Sequence, residues 1–478
     1  MSAPRCKAGP GGQEPSASAW VEMSRRGMAS TFALAASAWG LAACGAAPEP
    51  ETGAVPARHA DTGLRDLIGG ARAPVVAGEP LNAGLLRRFY ALRGFEPVWT
   101  DRQPQADSLV NAVLRARDHG LDPELFLAGL LWRRAAFPPL RRELLLSHAV
   151  LSYADALAHG AVPLDLRRDG EALTPEPVDV AAALDRAIDG PDPVAAIEAL
   201  APATPTYRAL RQALQRYRPA PAAGDRAAAL RLRQIEVNLE RQRWLPRALP
   251  ADRAWVNVAD QRLVLYRADR PVFSTRVVVG DDAERSQSPE FRAVIEASFF
   301  NPPWVIPRDI VAADILPRID RDPDYLMRNN MVLRDSGEIE QAAGPEAGLG
   351  LIMFDMPNRF DVYLHDTPNR TVFGRDNRRI SHGCIRVENP LEFAALLMQQ
   401  PVDAIHRGIA TGGTTRHHLP TPVPVFLLYQ TAFADPEGAL QFRPDFYNRD
   451  AGVWRRLQRE GRNPQAQADR RPASPGAA

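Results

Sequence analysis

The hydrophobic period of this chain changes once, between Trp244-Leu245-Pro246 and Pro250. Upstream, apolar residues recur three and four apart, as in Leu146, Val150, Tyr153 and Leu157, which share one helix face. Downstream the apolar runs are short, β-branched and separated by turn residues: Ala254–Val258, Arg262–Arg267 and Val272–Val279. Phe291, Ala293, Ile295 and Ala297 then alternate with Arg292, Val294, Glu296 and Ser298, the pattern of a half-buried strand. A chain of 478 residues is too long for one ordinary domain, and this switch divides it. The pattern predicts an α+β, multidomain protein: an α-helical scaffold over 81–248, then a mostly-β domain over 252–432.

Helices are predicted over 82–92, 105–118, 193–200 and 206–217. Asp225 is placed to cap a further helix that carries Leu232, Ile235 and Leu239 inward and Glu236 and Glu240 outward, until Pro246 stops it. This half holds no catalytic constellation. His119, His148 and His159 are isolated and read as structural or surface residues. In the second half, Asp361–Leu364 and Val423–Tyr429 read as further strands, and His417-His418 as a solvated turn. Residues 308–348 interrupt the strands with helical and glycine-rich sequence too long for a hairpin loop, and are read as an inserted cap or lid. Phe300 and Trp304 read as core or cap packing. Residues 433–478 form an extension whose tail, after about 450, is polar and expected to be disordered.

Charge excludes one class of function. Arg plus Lys (58) nearly balances Asp plus Glu (57), a formal charge of +1, so no nucleic-acid partner is expected from bulk charge. The long apolar stretch near the N-terminus has no counterpart later, which excludes a multi-span membrane protein. From Met23, which is read as the alternative true start, the sequence runs MSRRGMASTFALAASAWGLAACG. Arg25 and Arg26, the Ala/Leu-rich run and the small residues before Cys44 read as a secretory signal peptide over 1–43. Leu41-Ala42-Ala43-Cys44 resembles a bacterial lipoprotein box, which implies lipidation of Cys44, a membrane anchor, and a flexible tether over 44–80. Gly45 resembles outer-membrane sorting. Of the three cysteines, Cys6 is then removed and Cys44 blocked, leaving Cys384 as a single free thiol.

That thiol sits in YLHDTPNRTVFGRDNRRISHGCIRVENP, residues 363–390. A nucleophilic cysteine needs a base to raise its thiolate fraction and N–H donors for the oxyanion. Gly383 lets the chain turn tightly ahead of Cys384. His382 lies too close in sequence to fold back easily on the thiol, whereas His365, at the end of a strand, can return beside it. His365 is therefore read as the base. Asp366, its neighbour, faces the other way on a strand and is not expected to complete a triad. No ligand pair among His365, Asp366, His382 and Cys384 has a usual metal spacing, and no metal is expected.

HDTP followed by SHGCIR resembles the signature of the L,D-transpeptidases with the YkuD-type catalytic domain. FYALRGFEPVW (89–99), HGLDPELF (119–126), NLERQRWLP (238–246), FFNPPWVIP (299–307) and GLGLIMFDMPN (348–358) resemble blocks of the large L,D-transpeptidase D-like (YcbB-like) group. The small peptidoglycan-binding module usual before NLERQRWLP is replaced here by about a dozen residues, RYRPAPAAGDRAA. The resemblance implies that Cys384 attacks a peptidoglycan stem tetrapeptide, releases D-Ala through a thioester, and forms 3→3 cross-links without a cofactor. It implies His365 as general base and acid, an oxyanion hole from the amides of Gly383, Cys384 and His382, and substrate contacts from Tyr363, Ser381 and Arg386. Carbapenems are expected to acylate Cys384. Water in place of the acceptor amine would make an L,D-carboxypeptidase, and the reverse chemistry would detach a wall protein. A scaffold for other wall-synthesis proteins is the alternative outside enzymes. The expected location is the periplasmic side of the cell envelope.

Overall fold

The computed structural model describes residues 62–70, 73–218 and 225–458. The expected signal peptide, Cys44, most of the tether and the residues after 458 lie outside them. The N-terminal half is built from helices α1 (Thr62–Gly69), α2 (Ala83–Leu92), α3 (Gln103–Leu114), α4 (Ala128–Trp132), α5 (Pro139–His159), α6 (Val180–Ile188), α7 (Pro193–Glu198), α8 (Pro205–Tyr217) and α9 (Arg226–Arg243). Asp225 caps α9 as its position suggests, its Oδ1 accepting the Ala228 N–H at 2.9 Å. Helix α5 is buried along most of its length and carries Leu146, Val150, Tyr153 and Leu157 into the core. One buried carboxylate, Glu143, accepts the amides of Val98 (2.6 Å) and Trp99 (3.2 Å) and the hydroxyl of Tyr90 (2.8 Å). It thereby ties the segment after α2 to α5.

The three histidines of this half are structural. His148 Nδ1 accepts the Asn82 N–H (3.1 Å), His159 Nε2 accepts the Val178 N–H (2.9 Å), and His119 Nδ1 meets the Tyr207 hydroxyl (2.8 Å). Burial lowers the pKa of His148 to about 4, and burial with Arg211 and Arg243 lowers that of His119 to about 2. Both rings are neutral in the native state and titrate near 6.5 once unfolded, so the unfolded chain binds the extra protons as pH falls below 6.5. Stability is therefore expected to drop from pH 7 to pH 5 by about 2 kcal/mol per histidine. Thermal melts at the two pH values test this, and a His119→Gln variant should show a smaller pH dependence. Equal melting points at pH 7 and 5 would contradict the assignment.

Two sequence expectations for α9 and the C-terminus are corrected. Glu236 and Glu240 do not face solvent: Glu236 is mostly covered, and Glu240, Arg241, Gln242 and Arg243 are all buried. The end of α9 lies between the two halves, and its charges are paired, Arg243 with Glu240 (2.9 Å) and Arg241 with Asp450 (2.5 Å). Residues 450–457 are not a disordered tail. They form α12 (Asp450–Leu457), after α10 (Pro390–Met398) and α11 (Val402–Ala410), and place Val453 and Leu457 in the core of the helical half. The extension before it forms a hairpin of Ala432–Ala434 with Leu440–Phe442.

The second half is a large sheet, whose strands alone are numbered here: β1 (Arg253–Asn257), β2 (Arg262–Arg267), β3 (Arg270–Gly280), β4 (Phe291–Phe300), β5 (Ile352–Asp355), β6 (Leu364–His365), β7 (Arg379–Ser381), β8 (Ile385–Val387) and β9 (Thr415–Leu428). The order is β7-β3-β8-β6-β5-β4-β9-β1-β2, and β2 also pairs with β3, so the sheet closes on itself with β7 outside the ring. Closure removes the exposed edges that an open sheet must protect. Inward residues such as Val256, Leu265, Val277, Ile295, Phe354, Leu364 and Ile385 form the core with Phe393 and Leu397 of α10. His417 and His418 lie within β9 rather than in a turn, with His417 against Phe300 at 4.4 Å. The strand expected at Asp361–Leu364 begins only at Leu364, because Asp361 turns the chain with φ +52°.

Between β4 and β5 the cap has its own small sheet, in which Ile339–Gln341 lies between Trp304–Ile306 and Met331–Leu333. Ile306, Ile315, Met331 and Ile339 give it a separate core, with Trp304 packed against it.

Candidate active site

Strands β6 and β8 run parallel, with Leu364 opposite Ile385 and His365 opposite Arg386. Alternation then divides their side chains between two faces. Leu364 and Ile385 enter the core, while Tyr363, His365, Cys384 and Arg386 share the opposite face. His365 and Cys384 are diagonal neighbours across this pairing, Cys384 standing just before β8. The structure thus places His365 and Cys384, the candidate base and nucleophile, on one face of the sheet, with Tyr363 and Arg386 beside them.

His365 is buried, and its Nδ1 lies 2.6 Å from the carbonyl oxygen of Asp366. Burial lowers the ring's pKa to about 3, helped by the Arg386 charge and opposed by the carbonyls of Asp366 and Leu349. The ring is therefore neutral at physiological pH. A carbonyl can only accept, so Nδ1 carries the proton and Nε2 keeps its lone pair. That is the tautomer a general base requires. Cys384 is half-buried, with Sγ 3.9 Å from the Asp361 carbonyl. Burial raises its pKa, and the Tyr363 amide and the Arg386 charge pull it back. The resting pair is a thiol beside a neutral imidazole, with proton transfer left to the moment of attack.

Asp366 does not orient the ring through its carboxylate. Its Oδ2 accepts the Leu351 N–H (2.8 Å), and its Oδ1 accepts the Thr367 N–H (2.6 Å) and pairs with Arg370 (2.5 Å). The carboxylate fixes the loop, and the loop's carbonyl fixes His365. Gly350 makes room for this arrangement. It has φ +63°, and a Cβ there would lie 2.5 Å from the Asp366 carboxylate. Gly350→Ala is expected to push Asp366 off its amides, at a cost of about 1–3 kcal/mol for the backbone alone. A displacement of about 1 Å at His365 should lower kcat/KM on the order of 10²-fold. Thermal melting and a kinetic comparison check both, and wild-type kinetics in a folded variant would break the link from Gly350 to His365.

The loop before the candidate nucleophile differs in two respects from the sequence expectation, at Ser381 and at the Gly383 amide. Ser381 is buried and does not face the cleft; its Oγ donates to the Cys384 carbonyl (2.7 Å) and accepts the Gly383 N–H (3.1 Å). That same bond occupies the Gly383 amide, which is therefore not a free oxyanion donor in this arrangement. A short hydroxyl three residues before the nucleophile satisfies backbone groups that the turn would otherwise leave unpaired. His382 is exposed, and its side chain reaches the cap, with Nε2 3.0 Å from Asp314 Oδ2. Asp314 lies in a π-helical turn, Val311–Ile315, just before Pro317. Proline cannot donate the N–H that Ala313 would accept, so the turn widens there.

Sequence reasoning missed Ser288. Its Oγ donates to the Gly383 carbonyl (2.7 Å) and accepts the Gly280 N–H (2.9 Å), while the Tyr447 hydroxyl donates to the Gly280 carbonyl (2.5 Å). Gly383 itself has φ +117°, a conformation that glycine alone adopts without strain. No local signal in SQSPE marks this serine as a clamp on a loop 95 residues away. Among the described residues, no group of three or more His, Cys, Asp or Glu side chains is arranged to hold a metal ion.

Residues 84–214 match the Scaffold domain family, and residues 251–425 match YkuD, the L,D-transpeptidase catalytic domain. The chain carries an L,D-transpeptidase catalytic domain. Domains of this family act on peptidoglycan, and the helical half that precedes it is a scaffold domain. A Haemophilus influenzae protein provisionally named an L,D-transpeptidase is 27% identical over 406 residues, 77% of this chain and 78% of that protein. Among solved structures, a Cys-to-Ser mutant of the Enterococcus faecium L,D-transpeptidase is 11% identical with a TM-score of 0.20, aligning 38% of this chain with 50% of that one. The L,D-transpeptidase from Mycobacterium smegmatis is 12% identical with a TM-score of 0.22, aligning 37% of this chain with 58% of that one. This chain thus spans little more than half the length of those structures.

Proposed function

We propose that this protein forms 3→3 cross-links between peptidoglycan stems, with Cys384 as nucleophile and His365 as general base and then acid. The observation that carries the reading is the Asp366 carbonyl 2.6 Å from His365 Nδ1, which holds the proton on that nitrogen of a neutral ring placed on the same face as the thiol. His365 takes the Cys384 proton as sulfur attacks the amide between residues three and four of a stem tetrapeptide. It returns that proton to the leaving D-Ala, and a thioester remains. The side-chain amine of a neighbouring stem's third residue then attacks the thioester carbon; the C–S bond breaks as the new amide forms, and the proton that the amine loses passes through His365 back to the Cys384 sulfur. Amide is exchanged for amide, so the reaction needs no external energy source. The Cys384 amide serves the oxyanion, and the Gly383 amide joins it only where Ser381 releases it. Tyr363 lines the cleft; burial, with the charges of Asp361 and Cys384, pushes its pKa up to about 12, so it stays a neutral phenol.

The protein works on the periplasmic side of the cell envelope, held by a lipid on Cys44. The signal-like run from Met23 to Cys44 supports this location. Partners beyond the stem peptides are other wall-synthesis proteins that meet the scaffold domain.

The test incubates the chain from Gly45 onward with a purified disaccharide-tetrapeptide and identifies the products by mass spectrometry. Dimers that have lost one D-Ala and are joined between third residues are expected. Tripeptide monomers alone would make the protein a carboxypeptidase. No turnover by a folded sample would remove the self-sufficient enzyme and leave the scaffold role.

A further inference from the structure

Most buried or half-buried arginines near this site spend their charge inside the protein. Arg378 donates to the carbonyls of Val277 (3.1 Å), Arg375 (2.7 Å) and Gln261 (3.2 Å). Arg449 pairs with Glu290 (3.3 Å) and Arg456 with Glu171 (2.7 Å). Arg386 does not follow them. Its Nε is buried without a hydrogen-bond partner, and among the described residues no carboxylate or carbonyl engages its guanidinium. It stands on the cleft face of β8, two residues past Cys384 and in register with His365. Its electrostatic neighbour is the Cys384 sulfur, which as a resting thiol carries no charge to balance it.

A largely desolvated cation without a partner is costly, and an anion brought into the cleft would relieve that cost. The anion must also lie beside the reacting atoms, because Arg386 does. In the reaction proposed above, the residue that leaves carries a free carboxylate one residue beyond the carbon that Cys384 attacks. We propose that Arg386 binds this terminal carboxylate and makes the site selective for donor stems that end at the residue to be released. The guanidinium is suited to the task because its planar fork accepts a carboxylate in two-point contact. The inference rests on the transpeptidase reading of the site and adds to it the feature of the donor that is recognised.

The experiment follows acylation of Cys384 by intact mass, comparing a tetrapeptide donor as the free acid with the same donor as the C-terminal amide. Wild-type protein is expected to acylate with the free acid about 10²-fold more efficiently. Arg386→Gln should bring the free acid down to the level of the amide, and Arg386→Lys should restore part of the preference. Melting points separate this role from a structural one: removing an unpaired buried cation should leave the Arg386→Gln melting point unchanged or raise it. Equal acylation by both donors in the wild type, or a preference that survives Arg386→Gln, would overturn the proposal while leaving the transpeptidase reading intact. Failure of both donors to acylate a folded wild-type protein would overturn that reading, and the proposal with it.

Discussion

Cys384→Ala is expected to abolish cross-linking while leaving the fold in place. Loss of an attacking side chain in a nucleophilic enzyme lowers turnover by roughly 10⁴- to 10⁶-fold. Here the second histidine of the motif cannot substitute, because His382 points to Asp314 in the cap rather than into the cleft. The structural cost is small. The thiol is half-buried, and its contact with the Asp361 carbonyl is a long one, 3.9 Å. The loop around it is held by Ser381 and Ser288, neither of which touches the sulfur. Stability should change by less than about 1 kcal/mol. Intact-mass measurement after exposure to a carbapenem checks the chemistry: one adduct in the wild type and none in the variant. An adduct that persists in Cys384→Ala would mean that another group is the nucleophile.

The second large effect lies far from the cleft. Glu240 is fully buried at the end of α9 and satisfies four donors: the amides of Ala161 (3.0 Å) and Val162 (2.7 Å), the indole of Trp244 (3.1 Å) and the guanidinium of Arg243 (2.9 Å). Glu240→Ala leaves all four without this acceptor and leaves the fully buried Arg243 without its counter-charge. Breaking such a pair costs about 3–5 kcal/mol, a large share of the roughly 5–15 kcal/mol that a folded domain has available. Denaturant unfolding should show a lower midpoint, and the variant should be poorly soluble. Glu240→Gln keeps an acceptor and should fall between the two. A loss below about 1 kcal/mol for the alanine variant would show that these donors find other partners.

The two halves were legible in the sequence wherever periodicity was strong. The strand Arg262–Arg267 and the Asp225-capped helix are present where the pattern puts them. Helix Val180–Ile188 is not legible from periodicity, because alanine carries little periodic signal; its cap, Asp179 Oδ1 accepting the amides of Ala181 and Ala182 at 3.1 Å, is the available clue. Asp450–Leu457 reads as disorder because its sequence is polar, yet it is held as a helix by a long-range ion pair, Asp450 with Arg241. Pairwise burial of charge is a tertiary property, and the same blindness made Glu240 look exposed. At the site, Cys384 and His365 could be named because the residues around each are contiguous in sequence. The roles of Ser381, Ser288 and Gly350 could not, since each depends on how a turn folds back on a distant backbone group.

The closed sheet has a consequence for how the protein is assembled. Its ring is completed where β9 meets β1, a region in which Asn257 and Gln430, 173 residues apart, hydrogen-bond to each other. The scaffold core likewise includes Phe426, Leu428, Val453 and Leu457. Contacts so remote in sequence carry a high loop-closure cost and slow folding. The sheet is not complete until Leu428 has been made, nor the helical core until Leu457, so the two halves mature together. Truncation before β9 should therefore cost the molecule its scaffold as well as its closed sheet.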